Sequence, residues 1–271
     1  MTERLKIRPK LGQHFLVDAS YRRRIAAALD LQPDDLVVEI GPGRGAMTEL
    51  LAERAGRIVA IELDKALAEQ LQRKLAAEPR IEVLQADFLT VDLAELCFRH
   101  GVQRCFVFGN VPYYITSPII HLLFTFRDCI RAMALLVQHE VAERLVATPG
   151  TRDYGYLSVL TQLLSYPRIV TGVPAGAFSP PPKVRSVLVE FRMRELAGAG
   201  SLLPQQEADR FLQFVKRCFE QKRKNLLNNL AELYSRARLE LELNRLSLAP
   251  SLRAEQLPLE DLIRLYRGLK D

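Results

Sequence analysis

Three observations predict an α/β fold: a mostly parallel sheet covered by helices, followed by a smaller all-helical region. Short apolar runs alternate with segments of 3.6-residue periodicity along most of the chain. The apolar runs are nearly continuous rather than alternating, as in strands buried on both faces. A small-residue stretch, Ala197-Gly-Ala-Gly-Ser201, then breaks the alternation, and the remainder reads as helix to the end. The expected organisation is a sheet-bearing domain over residues 1–196 and a helical domain over 197–271.

The elements follow in order. Residues 36–40 (LVVEI), 58–63 (IVAIEL), 81–84, 105–108 and 133–138 (MALLVQ) read as short buried strands. Residues 66–76 and 139–147 carry helical periodicity between them. Ser117-Pro118 has the chemistry of a helix start, since serine caps and proline suits the first helical position. Residues 168–173 and 186–193 have no obvious helix between them and read as an antiparallel pair at the sheet edge. In the tail, Phe211, Phe214, Val215, Cys218 and Phe219 form an apolar stripe, and Lys222-Arg223-Lys224 follows at once.

Hydrophobic residues make up 48% of the 271 and charged ones 26%, the balance of a globular protein with a real core. No apolar run reaches the length of a membrane span, and the basic N-terminus lacks an apolar signal core. Neither membrane insertion nor export is expected. Cys97, Cys105, Cys129 and Cys218 show no Cys-x-x-Cys spacing, so no metal site is expected; they read as reduced core thiols of a cytoplasmic protein. The net charge of +6 is unevenly spread: residues 1–24 carry +5, residues 210–238 carry +6, and the remainder carries −5. Two basic patches on an acidic body are either solvated helix faces or an electrostatic footprint for phosphate backbones, and their clustering favours nucleic acid.

VVEIGPGRGAMTEL (37–50) reads as strand, glycine turn and helix. Gly41-x-Gly43-x-x-Ala46 satisfies the dinucleotide fingerprint, and Glu62 stands about twenty residues on, so a nicotinamide enzyme is open at this point. Two details weigh against it. Glu39 lies inside the strand, and Pro42 removes a backbone N–H from a loop whose phosphate-binding task is to supply donors. S-adenosyl-L-methionine has no phosphate and needs only close backbone approach. Glu62 and Asp87 fall at successive strand ends, where carboxylates can accept from ribose hydroxyls and an adenine amine. Each alone could equally cap a helix.

Asn110-Val111-Pro112-Tyr113 ends the fourth strand. Two neutral acceptors, the Asn110 side-chain oxygen and the Val111 carbonyl, suit both N–H groups of an exocyclic amine. Pro112 biases Val111 to extended backbone. Tyr113 can stack on a flat base, worth roughly 1–3 kcal/mol. The bland alternative is an Asn-Pro type turn with core tyrosines.

NVPY is similar to the Asn/Asp-Pro-Pro-Tyr/Phe signature of amino-group methyltransferases. Together with KLGQHFLVD (10–18), EIGPGRGAMT (39–48), IELD (61–64), QADFL (85–89), GNVPYYITSPII (109–120) and FSPPPKVRSVLV (178–189), it resembles the ribosomal RNA adenine dimethyltransferase family, motif by motif and in order. The resemblance implies a Rossmann-like class I methyltransferase fold with a seven-stranded sheet and an RNA-binding helical C-terminal domain. It implies N6 dimethylation of two adjacent adenosines near the 3′ end of small-subunit ribosomal RNA, on an assembling small subunit, by a monomer. GQHF rather than SQNF-like wording disfavours the large-subunit, macrolide-resistance branch. A non-catalytic assembly factor on this fold would be free to lose the Asn-x-Pro-Tyr corner, which is intact here.

The implied roles are as follows. His14 and Leu16 line the cofactor entrance; Gly41, with Gly43, meets its amino acid portion, Glu62 its ribose and Asp87 its adenine. Asn110 touches both cofactor and target, and Phe178 stacks on the base opposite Tyr113. Lys10, Arg22, Arg23, Lys222, Arg223 and Lys224 meet RNA phosphates. Two positions depart from the family pattern: His14 stands where Asn is usual, so its contact would be through backbone, and Val111 replaces the commoner Leu or Pro.

Overall fold

The computed structural model describes residues 13–195, 202–221 and 224–270. Its contacts divide the chain into two compact units. One runs to Ala142 and resumes over Arg168–Arg192; the other joins Glu143–Pro167 to the chain from Met193 onward. A single cut at 196/197 therefore misses the segment 143–167, which groups with the helical tail. The small-residue linker expected at 197–201 lies outside the described residues.

The first unit is built on seven strands: β1 (Leu36–Ile40), β2 (Arg57–Glu62), β3 (Ile81–Gln85), β4 (Cys105–Asn110), β5 (Ile130–Gln138), β6 (Ser165–Val173) and β7 (Ser186–Met193). Their order across the sheet is β3-β2-β1-β4-β5-β7-β6. Neighbours from β3 to β5 are parallel, and β7 is antiparallel to β5. Every residue of β1 is buried, as is β4 up to Gly109, which explains their unbroken apolar sequences. Strand order reverses between β1 and β4, so a crevice opens outside their carboxyl ends. β6 is the edge strand, where Pro167 removes no ladder bond from a central position.

Two helical features differ from the sequence expectation. The helix after β4 spans Thr116–Thr125, and Ser117 does not cap it. A 3₁₀ turn, Tyr113–Ile115, leads into it, and the Thr116 hydroxyl bonds back to the Pro112 and Tyr113 carbonyls at 3.3 Å. The helix Ala19–Ala28 has no counterpart in the periodicity, because Arg22-Arg23-Arg24 interrupts the apolar face formed by Ile25, Ala26 and Leu29. Asp18 starts it by accepting from the Ser20 and Tyr21 amides.

A two-residue ladder pairs Phe15–Leu16 antiparallel with Phe178–Ser179. It ties the N-terminal segment to the loop before β7. In the second unit, Phe211 and Phe214 of the helix Gln205–Cys218 pack on Tyr266 of Leu259–Leu269, with ring centroids 5.5 and 5.6 Å apart. Among the described residues no helix is long and apolar enough to cross a membrane.

Candidate active site

The glycine turn after β1 runs in left-handed backbone: φ is +67° at Gly41 and +56° at Gly43. L-residues pay roughly 1–2 kcal/mol there. Space is also short at Gly43, where a Cβ would come within 2.8 Å of the Phe15 ring. The Gly43 N–H donates to Glu62 Oε2 at 2.9 Å, and the Asp64 N–H donates to Glu62 Oε1 at 3.0 Å. This arrangement bears on the dinucleotide reading. A loop donor that a pyrophosphate would need is already taken, and an anion there would meet a buried carboxylate.

Glu62 ends β2, 3% exposed, and faces the cavity at the carboxyl end of the sheet. Burial pushes its carboxyl pKa up, against the opposing effect of its two amide donors. Asp87, two residues beyond β3, lines the same cavity and accepts from the Leu89 amide as an N-cap, so one of its oxygens is structural. Glu39 inside β1 is 2% exposed; burial raises its pKa to about 7, with Glu62 adding and Thr48 opposing.

The corner after β4 completes the cavity with Asn110, Val111, Pro112 and Tyr113. The Asn110 Nδ2 donates to the His14 carbonyl at 2.9 Å. A carbonyl can only accept, so this contact orients the amide and leaves Oδ1 as its acceptor. Val111 is 1% exposed and lines the cavity. Tyr113 is held at two points. Its hydroxyl lies 2.7 Å from Ser186 Oγ, and its ring stacks on His14 with centroids 5.5 Å apart and planes at 30°. The His14 ring in turn places Nδ1 2.8 Å from the Pro180 carbonyl.

A glycine loop, a ribose-competent carboxylate, an oriented amide acceptor and an aromatic plate thus share one cavity. The family model described as ribosomal RNA adenine dimethylase matches residues 4–271. The chain belongs to that family. Among its relatives, one named ribosomal RNA small subunit methyltransferase A from Acidobacterium capsulatum is 44% identical, over 98% of this chain and 92% of its own length. The protein of that name from Koribacter versatilis is 40% identical, over 96% and 94%. Of solved structures, the 23S rRNA methyltransferase ErmE is similar at 32% identity with a TM-score of 0.73, covering 94% of this chain and 99% of that one. A dimethyladenosine transferase from Plasmodium falciparum shares the fold, with a TM-score of 0.78 at 24% identity over 93% and 96%.

Several sequence expectations need correcting. Phe178 does not stand open opposite Tyr113: it is 3% exposed, in the core. The cause is the ladder, in which Phe178 sits directly across from Leu16, and residues so paired point to one face. Leu16, 6% exposed, follows it into the core, and Phe15 is the residue that reaches the cavity. Arg22 folds back, its Nη2 3.4 Å from the Val17 carbonyl, and is partly buried; Arg23 is exposed. Lys224 is exposed, whereas Lys10, Lys222 and Arg223 lie outside the described residues. Sequence alone does not assign Ser186, because nothing local shows that its hydroxyl meets a tyrosine 73 residues away.

Proposed function

We propose that this chain transfers methyl groups to the N6 amines of two adjacent adenosines near the 3′ end of small-subunit ribosomal RNA, giving N6,N6-dimethyladenosine in an assembling small subunit. The observation that carries the reading is the Asn110 amide, oriented by the His14 carbonyl beside Tyr113 in the cavity shared with Gly41 and Glu62. The names of the small-subunit relatives support the choice of RNA.

S-adenosyl-L-methionine fits the residues present: the glycine turn admits close approach, Glu62 suits a ribose diol, and the Gly43 N–H that a phosphate would need is taken by Glu62. When bound, it supplies a methyl group already activated on a sulfonium. The chain's own task is positioning. Asn110 Oδ1 and the Val111 carbonyl accept the two N–H groups of the target amine, drawing its lone pair out of conjugation with the ring. Tyr113 holds the base plane, offsetting the few kcal/mol needed to extrude a base. The methylated nitrogen is acidic and sheds its proton to water, so no His or Cys serves as general base. Arg23, Lys10 and Lys222–Lys224 meet RNA phosphates, and the protein works as a monomer in the cytoplasm.

The test is transfer of labelled methyl from the cofactor to small subunits lacking the modification, with large subunits alongside, followed by mapping. Label on two adjacent adenosines of the small-subunit RNA is the expected result. Label on large-subunit RNA alone would assign the chain to the reaction named for ErmE instead.

A further inference from the structure

Ser186 opens β7 at a fully buried position, paired across the ladder with Gln138, the last residue of β5. Packing alone would be served there by alanine. A hydroxyl in the same place needs a partner, since a buried polar group left unpaired is costly. Its partner is the phenol of Tyr113, 2.7 Å away.

That bond joins the turn after β4 to the first residue of β7. Tyr113 sits in a short 3₁₀ turn after β4, three residues beyond Asn110. Its ring turns about two side-chain torsions, and the turn itself does not set the ring plane. Anchoring the phenol oxygen on the first residue of β7 sets it, with the tied His14 ring against the ring face. The plane matters because a stacked base inherits it, and with it the direction in which its amine points toward Asn110. A misplacement of about 1 Å is enough to cost a reaction roughly 10²-fold.

We propose that Ser186 is a positioning residue for methyl transfer: its hydroxyl fixes the phenol of Tyr113 and so the plane on which the target base stacks. The inference rests on the assignment of Tyr113 as the base's plate.

The experiment compares Ser186→Ala, Tyr113→Phe, the double variant and Tyr113→Ala. It measures kcat and KM on small subunits lacking the modification, and the dissociation constant for S-adenosyl-L-methionine by titration. Ser186→Ala and Tyr113→Phe should each lower kcat about tenfold, with cofactor affinity held within about twofold, and the double variant should be no worse than either single one. That non-additivity separates one shared bond from two independent packing defects. Should Ser186→Ala fail to fold, Tyr113→Phe removes the same bond from a side chain that is only partly buried, and its kcat carries the test. Losses that multiply in the double variant overturn the proposal, as does a Ser186→Ala enzyme within about twofold of wild type while Tyr113→Ala is crippled. Full activity in Tyr113→Ala would sink the plate assignment itself, and the role of Ser186 with it.

Discussion

Asn110 is a donor and an acceptor at once, and the two halves of its amide do different work. Nδ2 is spent on the His14 carbonyl, which aims Oδ1. Asn110→Ala removes the acceptor and leaves the glycine turn and Glu62 in place. Transfer should fall by at least about 10²-fold, the scale of losing one preorganised polar contact at a reacting centre. Cofactor affinity, measured by titration, should stay within about tenfold; equal loss of both would contradict the role. Glu39 poses a different residue-scale question. Its folded pKa of about 7 lies above the ordinary 4.5. The folded state therefore binds the proton more tightly, and stability present below about pH 4.5 is lost as pH rises through 7. Glu39→Gln cannot ionise. Thermal denaturation from pH 4 to 8 should show the variant near wild type at the acid end and more stable at the alkaline end.

Among the elements, the glycine turn and the Phe15–Leu16 strand act as a pair. Gly43 combines a left-handed φ with a Cβ direction that points into the Phe15 ring. Gly43→Ala should lower the melting temperature, since the conformation alone costs about 1–2 kcal/mol, and should weaken cofactor binding because the turn must shift. In a Phe15→Ala background the same substitution should cost less, the two sites being in contact. Equal costs in both backgrounds would show that the ring is no obstacle. Most elements were legible locally: β1 and β7 have the ends that their apolar runs predict, because strands buried on both faces have no polar alternation to blur them. The helix expected at Ser117-Pro118 does begin within one residue of that pair, but its start rests on a 3₁₀ turn and a threonine bonding backward rather than on a serine cap. The Phe15–Leu16 ladder was not legible, since its two-residue length carries no periodicity.

Over the whole molecule, the net charge of +6 is the sum of basic clusters on an acidic remainder. Arg23 is exposed on the helix Ala19–Ala28. Arg23→Glu should weaken RNA binding and reduce the slope of log affinity against log salt by about one to two phosphate contacts, without altering cofactor affinity. Binding measured across a salt series checks this, and an unchanged slope would place the arginine outside the interface. By itself the sequence determined the strand–helix alternation, the glycine turn, the carboxylates at strand ends and the asparagine corner. Each of these is written in neighbouring residues whose chemistry and backbone preference are local. The tertiary structure alone decided which way Phe178 and Leu16 face, that His14 orients Asn110, and that Ser186 meets Tyr113. Those contacts join residues between 73 and 162 positions apart, and only the folded chain brings such residues within bonding distance.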